Sequence, residues 1–160
     1  MATPAGPAVS ISRTLPLDAS DAWALLSDVR NHARWIPMTR IEVRGLPLAA
    51  GSKVIATSGP FATRGTPGLQ DRMRLDRLEP PTAQAAGVAV FTKVGPLLLG
   101  TAEVRVAALG AGTSRATWVE DVHLAGPLPA ALTRRVLAPV LAGMVRFALW
   151  RVAREVAATR

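Results

Sequence analysis

The sequence predicts an α+β fold: one curved antiparallel sheet of about seven strands, two short helices after the first strand, and a long C-terminal helix laid across the sheet. Three observations carry that expectation. Apolar and polar residues alternate with period two in successive stretches between Val9 and Leu124, as half-buried strands do. Gly- and Pro-containing breaks separate many of those stretches at hairpin spacing. After Pro129 the alternation stops, and Ala130 to about Ala158 suits one helix, the only element long enough to cover the apolar face of the sheet. Side chains between a bent sheet and a single helix leave some space unfilled, so a cavity is part of the same expectation.

Residues 1–8, rich in Ala and Pro, read as a flexible tail ahead of one domain over 9–160. Val9, Ile11, Arg13 and Leu15 alternate with Ser10, Ser12 and Thr14 in a first strand that Pro16 stops. Asp18 stands at an N-cap position with Asp21 in the first turn beyond it, and Ala22, Trp23, Leu25 and Leu26 form the buried face of a short helix. Asp28 caps a second short helix through His32 and Trp35, which Pro37 ends. Strands follow over Arg40–Arg44 and Ser52–Thr57, then a Gly/Pro-rich loop from Ser58 to Leu69. Asp71–Leu78 sets Met73 and Leu75 against Arg72, Arg74 and Asp76, and Pro80 and Pro81 close it. Further strands are expected over Ala83–Lys93, Thr101–Ala107 and, after the turn at Gly110-Ala111-Gly112, Thr113–Leu124. In the last helix Pro139 predicts a kink, and Val136, Val140, Met144, Phe147 and Arg151 share one face.

Composition narrows the chemistry. The chain has 160 residues and a net charge of +8, with Lys53 and Lys93 its only lysines. The arginines are spread along the chain without a run of like charge, the pattern that GC-rich coding produces, and few aromatics accompany them as stacking platforms; no nucleic-acid partner is expected. With no Cys there is neither disulfide nor thiolate chemistry, and with no Tyr there is no phenolic acid. His32 and His123 lie in different elements, so neither metal nor other cofactor is expected. Gly45–Lys53 has the wrong spacing for a phosphate loop, Gly110-x-Gly112 reads as a hairpin turn, and the nucleophile elbow G-x-S-x-G is absent. Met1–Ser10 has no secretory signal pattern, and the longest apolar run, the ten residues Val136–Val145, falls short of the ~18 of a membrane span; a soluble, cytoplasmic protein is expected.

The stretches Asp18-Ala-Ser-Asp-Ala-Trp-Ala-Leu-Leu-Ser-Asp28 and Asn31-His-Ala-Arg-Trp-Ile-Pro37 resemble the opening of the polyketide cyclase/dehydrase family in the START-like, or SRPBCC, superfamily. Asp71-Arg-Met-Arg-Leu-Asp-Arg-Leu-Glu-Pro-Pro81, Gly112-Thr-Ser-Arg-Ala-Thr-Trp-Val-Glu120 and Gly126-Pro-Leu128 follow in that family's order, so the resemblance runs from Val9 onward. It implies the helix-grip architecture and a hydrophobic cavity. Lipid and sterol carriers, hormone receptors, aromatase/cyclases and quinone-binding proteins share that architecture, and no catalytic motif is common to them all.

The expected partner is thus a small hydrophobic or amphipathic molecule held between sheet and helix. Met73, Leu75, Phe91, Trp118, Val136, Val140, Met144 and Phe147 are the expected ligand-binding wall, with Glu120 and Arg151 as polar contacts. If Ala116, Trp118, Glu120, Val122 and Leu124 point inward, Glu120 serves as a proton donor or ligand anchor, or pairs at the rim with Arg151 or Arg154. One residue out of register, Asp121 and His123 face the cavity as an acid/base pair. A carrier, a cyclase or dehydratase, and a homodimeric module using Leu137, Leu141, Val145, Ala148 and Val152 are the three readings left open.

Overall fold

A computed structural model describes residues 8–159, so the expected tail lies almost wholly outside the described residues. Strand β1 (Val9–Leu15) leads into helix α1 (Ala19–Ser27), a 3₁₀ turn (Val29–Asn31) and helix α2 (His32–Trp35). Strands β2 (Thr39–Arg44), β3 (Lys53–Ser58), β4 (Leu69–Glu79), β5 (Gly87–Pro96), β6 (Leu98–Gly110) and β7 (Thr113–Leu124) follow as a meander, and helix α3 (Ala130–Ala158) closes the chain. The sheet is antiparallel throughout, in the order β1-β7-β6-β5-β4-β3-β2. Seven bent strands gripped around one long helix form the α+β helix-grip fold.

Alternation sets which face of each strand is buried. In β7, Ala116, Trp118, Glu120 and Val122 are buried while their neighbours are partly or fully exposed, and in β5 Ala89, Phe91 and Lys93 do the same. Small residues allow the close approaches. Gly100, at φ +121°, lies where an added Cβ would sit 2.0 Å from the Asp121 carbonyl oxygen. On the outer face, Arg74 pairs with Asp76 at 2.6 Å and Arg105 with Glu103, short-range pairs on a solvated surface worth little to stability.

The cap assignments divide. Asp18 does not cap α1; its Oδ1 instead accepts from the Gly112 backbone N–H at 2.6 Å, fastening the β6–β7 turn. Asp28 does cap the turn that follows α1, accepting from Arg30 N at 3.1 Å, and the Arg30 guanidinium bonded to it holds its carboxyl below the usual range. Asp28→Ala should therefore lower stability by about 1 kcal/mol in urea unfolding. Trp35 buries its ring in the core and donates its indole N–H to Glu155 at 2.8 Å, tying α2 to α3.

Helix α3 runs unbroken through Pro139 for 29 residues. Its buried stripe is Val145, Ala148, Leu149, Val152 and Val156, packed against β1 and β7. The stripe expected from the sequence is displaced around the axis: Val136, Val140 and Phe147 are exposed. Because α3 is apolar on nearly every side, periodicity could not choose which stripe faces the sheet. By the same correction, Val145, Ala148 and Val152 are core residues and offer no dimer surface. By length and composition α3 is apolar enough to cross a membrane, a property that counting consecutive apolar residues does not register.

Candidate functional site

Between the concave face of the sheet and α3 lies a cavity of about 300 Å³. Val54 and Ala56 of β3, Met73 of β4, Phe91 of β5 and Ala102 and Val104 of β6 form its floor. Leu137, Leu141 and Met144 of α3 form its roof, and Val140 reaches it from the rim. His32 and Trp118 close one end, their rings 4.9 Å apart. The His32 Nε2 lies 2.8 Å from the Leu26 carbonyl, which can only accept, so that nitrogen carries the proton. Burial lowers the His32 pKa, which favours the neutral ring.

Set into this apolar wall is a cluster of charge. Cross-strand pairing places Phe91 opposite Ala102 and Ala102 opposite Glu120, while the adjacent row carries Met73, Lys93, Gly100 and Val122. Gly100 and Ala102, the two smallest residues of those rows, leave room for the Lys93 ammonium to reach diagonally toward Glu120. Its Nζ lies 3.6 Å from Glu120 Oε2 and bonds the Asp71 carboxylate more closely. The Lys93 and Glu120 side chains are only 5% and 3% exposed, so this is an interior charge cluster. Trp118 donates its indole N–H to Glu120 Oε1 at 3.0 Å. Among the described residues, Glu120 Oε2 and Asp71 Oδ1 have no hydrogen-bond partner.

Burial pushes the Glu120 carboxyl above its ordinary pKa; the Lys93 charge pulls against that, and Asp71 adds to it. Burial works against the Lys93 charge, but Glu120 and Asp71 outweigh it and hold the proton on more firmly than in water. Asp71 and Glu120 line the cavity and Lys93 does not, so the cluster can offer two carboxyl oxygens, held by a buried ammonium, to a guest whose remainder is apolar.

Over residues 7–157 the sequence matches the family model for polyketide cyclase/dehydrase and lipid transport. The chain belongs to this family. Similar solved structures agree in fold: a protein from Thermus thermophilus (TM-score 0.68, 15% identity, covering 96% of this chain and 99% of that one) and a START superfamily protein from Mycobacterium smegmatis (0.65, 14%, 94% and 99%). An aromatase/cyclase from a Streptomyces species is similar at TM-score 0.62 and 19% identity, over 94% of this chain and 90% of that one. A search of curated proteins finds no match.

Within this cyclase and lipid-transport family fold, the expected wall is only partly realised. Met73, Phe91, Trp118, Glu120, Val140 and Met144 line the cavity. Leu75 is fully buried, but in the core beyond the cavity's end, and Val136 and Phe147 point to solvent on the far side of α3. Arg151 lies outside with them, 5.9 Å above the Phe147 ring, because the true inward stripe of α3 excludes it. Asp121 and His123 are on the opposite face of β7 from Glu120, where Asp121 pairs with Arg134 at 2.5 Å; the register therefore rules out their acting as a cavity acid/base pair. Lys93 and Asp71 were missed, although the signal was available: each lies two residues from a residue already placed inward, Phe91 and Met73.

Proposed function

We propose that the chain binds a small amphipathic molecule in the cavity, with its polar group on the Asp71 and Glu120 carboxyls that Lys93 holds from behind and its apolar body against Phe91, Trp118 and Met144. One observation carries this reading: a largely apolar cavity lined by two carboxylates, Asp71 and Glu120, each with a buried oxygen lacking a hydrogen-bond partner, and with the Lys93 ammonium buried beside them. A complementary guest has a hydroxyl to donate to Asp71 or Glu120. At about 300 Å³ the cavity sits at the lower end of the roughly 300–1,000 Å³ typical of ligand sites, which favours a short polyketide, a hydroxylated ring or a small quinol over a four-ring sterol. The role is that of a carrier or binding protein, apolar burial supplying most of the affinity and the cluster its orientation.

The second reading is a cyclase or dehydratase, favoured by the raised pKa of Glu120 beside a fixed ammonium. Glu120 would move a proton while Lys93, bonded to Asp71 and beside Glu120, offsets the charge left on the carboxyls. Native mass spectrometry of the purified protein, with its organic extract analysed in parallel, tests the binding reading. A reproducible extra mass of roughly a few hundred daltons is expected, and it should vanish in Ala102→Phe, which fills the floor; an extra mass that persists in that variant would place the guest elsewhere. Glu120→Gln then separates the two roles. A carrier keeps its affinity within about threefold, whereas an enzyme loses turnover by more than about tenfold.

A further inference from the structure

The outward face of α3 is as unusual as its inward one. Leu132, Val136, Val140, Phe147 and Trp150 are all exposed, Val136 by 65% and Val140 by 69%. They form an apolar stripe about 27 Å long at 1.5 Å per residue. Arginines flank it: Arg135, Arg146, Arg151 and Arg154 make no ion pair among the described residues, while Arg134 is committed to Asp121. Arg151 and Arg154 lie over the rings of Phe147 and Trp150. Before Glu155 the helix contains no carboxylate at all, and Glu155 is itself engaged by Arg34 and Trp35.

From this pairing of stripe and charge we propose that the outer face of α3 docks the protein on an anionic lipid surface. Aliphatic and aromatic side chains with an arginine border suit the boundary between acyl chains and anionic headgroups. Charge decides against a second copy of the chain, since two such faces would bring arginines together with no carboxylate between them. A nucleic acid would satisfy the arginines but leave the apolar stripe without a partner. The surface extends beyond the ligand reading and does not depend on it, except that Val140 belongs both to the stripe and to the cavity rim.

The test is cosedimentation with vesicles of phosphatidylcholine alone and of phosphatidylcholine mixed with phosphatidylglycerol, followed by tryptophan fluorescence. Trp23, Trp35 and Trp118 are buried and Trp150 is not, so a blue shift on binding reports the stripe. Partitioning is expected only on the anionic vesicles, weakening as salt rises. Arg135→Gln/Arg146→Gln should reduce it about 25-fold, near fivefold for each charge removed. Phe147→Ser should weaken binding while leaving the circular dichroism spectrum unchanged. Equal partitioning on both vesicles, no partitioning, or an unaffected double variant overturns the proposal. So does a dimer in light scattering that Val136→Glu dissolves, which would assign the face to a second copy. Retention on an acidic polypeptide without vesicle binding overturns it in favour of a protein partner.

Discussion

Lys93→Met should lower the stability of the protein by about 3–5 kcal/mol at neutral pH. Removing the ammonium leaves Asp71 without its cation and Glu120 buried with only the Trp118 N–H as a partner. The wild-type cluster is tolerated because each charge is offset by another within the same dry wall; one missing member exposes the desolvation cost of the others. The pH dependence has a definite sign. Glu120 has a folded pKa raised above its unfolded value of about 4.5, so its contribution is fully present below that value and is lost as pH rises through the folded pKa. Without Lys93, which lowers it more than the Trp118 hydrogen bond does, the folded pKa climbs further and more stability is lost on the way to neutrality. The deficit of Lys93→Met should therefore shrink toward acid pH, and Lys93→Met/Asp71→Asn should regain at least half of it. Urea unfolding at several pH values measures both effects. A deficit below about 1 kcal/mol that does not change with pH would mean the three groups are not coupled.

Gly100→Ala should cost more than about 3 kcal/mol, and the variant should melt well below the wild type. Its φ of +121° is one that side chains rarely adopt, and the new Cβ would meet backbone atoms of Asp121 and Val122, which cannot swing aside as a side chain can. Relief requires β6 and β7 to separate where Gly100 faces Val122, next to the Ala102–Glu120 pair, so the charge cluster should be disturbed along with the sheet. Gly110→Ala provides the contrast: nothing lies within 4 Å of a Cβ there, and its effect should stay within about 0.5 kcal/mol. Thermal unfolding of the two variants side by side gives the comparison.

The strands were legible because a sheet with one dry face writes its register into alternate residues. The alternation gives Thr113–Leu124 to its ends but leaves two registers open, and the structure shows the one with Glu120 inward. The opening Asp18–Pro37 gave its two short helices because caps and proline act locally, although Asp18 found its partner 94 positions away in Gly112, which no local rule contains. The orientation of α3 was not legible, for a physical reason. Periodicity identifies a buried face only by contrast with a polar one, and the two sides of α3 differ little in hydropathy. Hence Val136, Phe147 and Arg151 were assigned inward, while Leu137 and Leu141 line the cavity in their place. Lys93 escapes for the opposite reason: it lies two residues from inward Phe91, but a lysine is among the residues least expected to be buried. Only the coincidence of three strands, β4, β5 and β7, supplies the two carboxylates that make its burial tolerable.

The pairing of β1 with β7 also sets a timetable for synthesis. Strands β3 to β7 each pair with the strand made just before, so the meander from β2 onward can assemble as it leaves the ribosome. Val9 must wait for Glu120, roughly 110 residues later, which at about 5–20 residues per second is roughly 5–20 s. For that interval the first strand and the two short helices behind it are exposed and apolar, with Leu15, Trp23 and Leu26 lacking their final surroundings. The β1 edge of the nascent chain is thus the segment most in need of shielding, and stalled or truncated chains that end before β7 should aggregate through it.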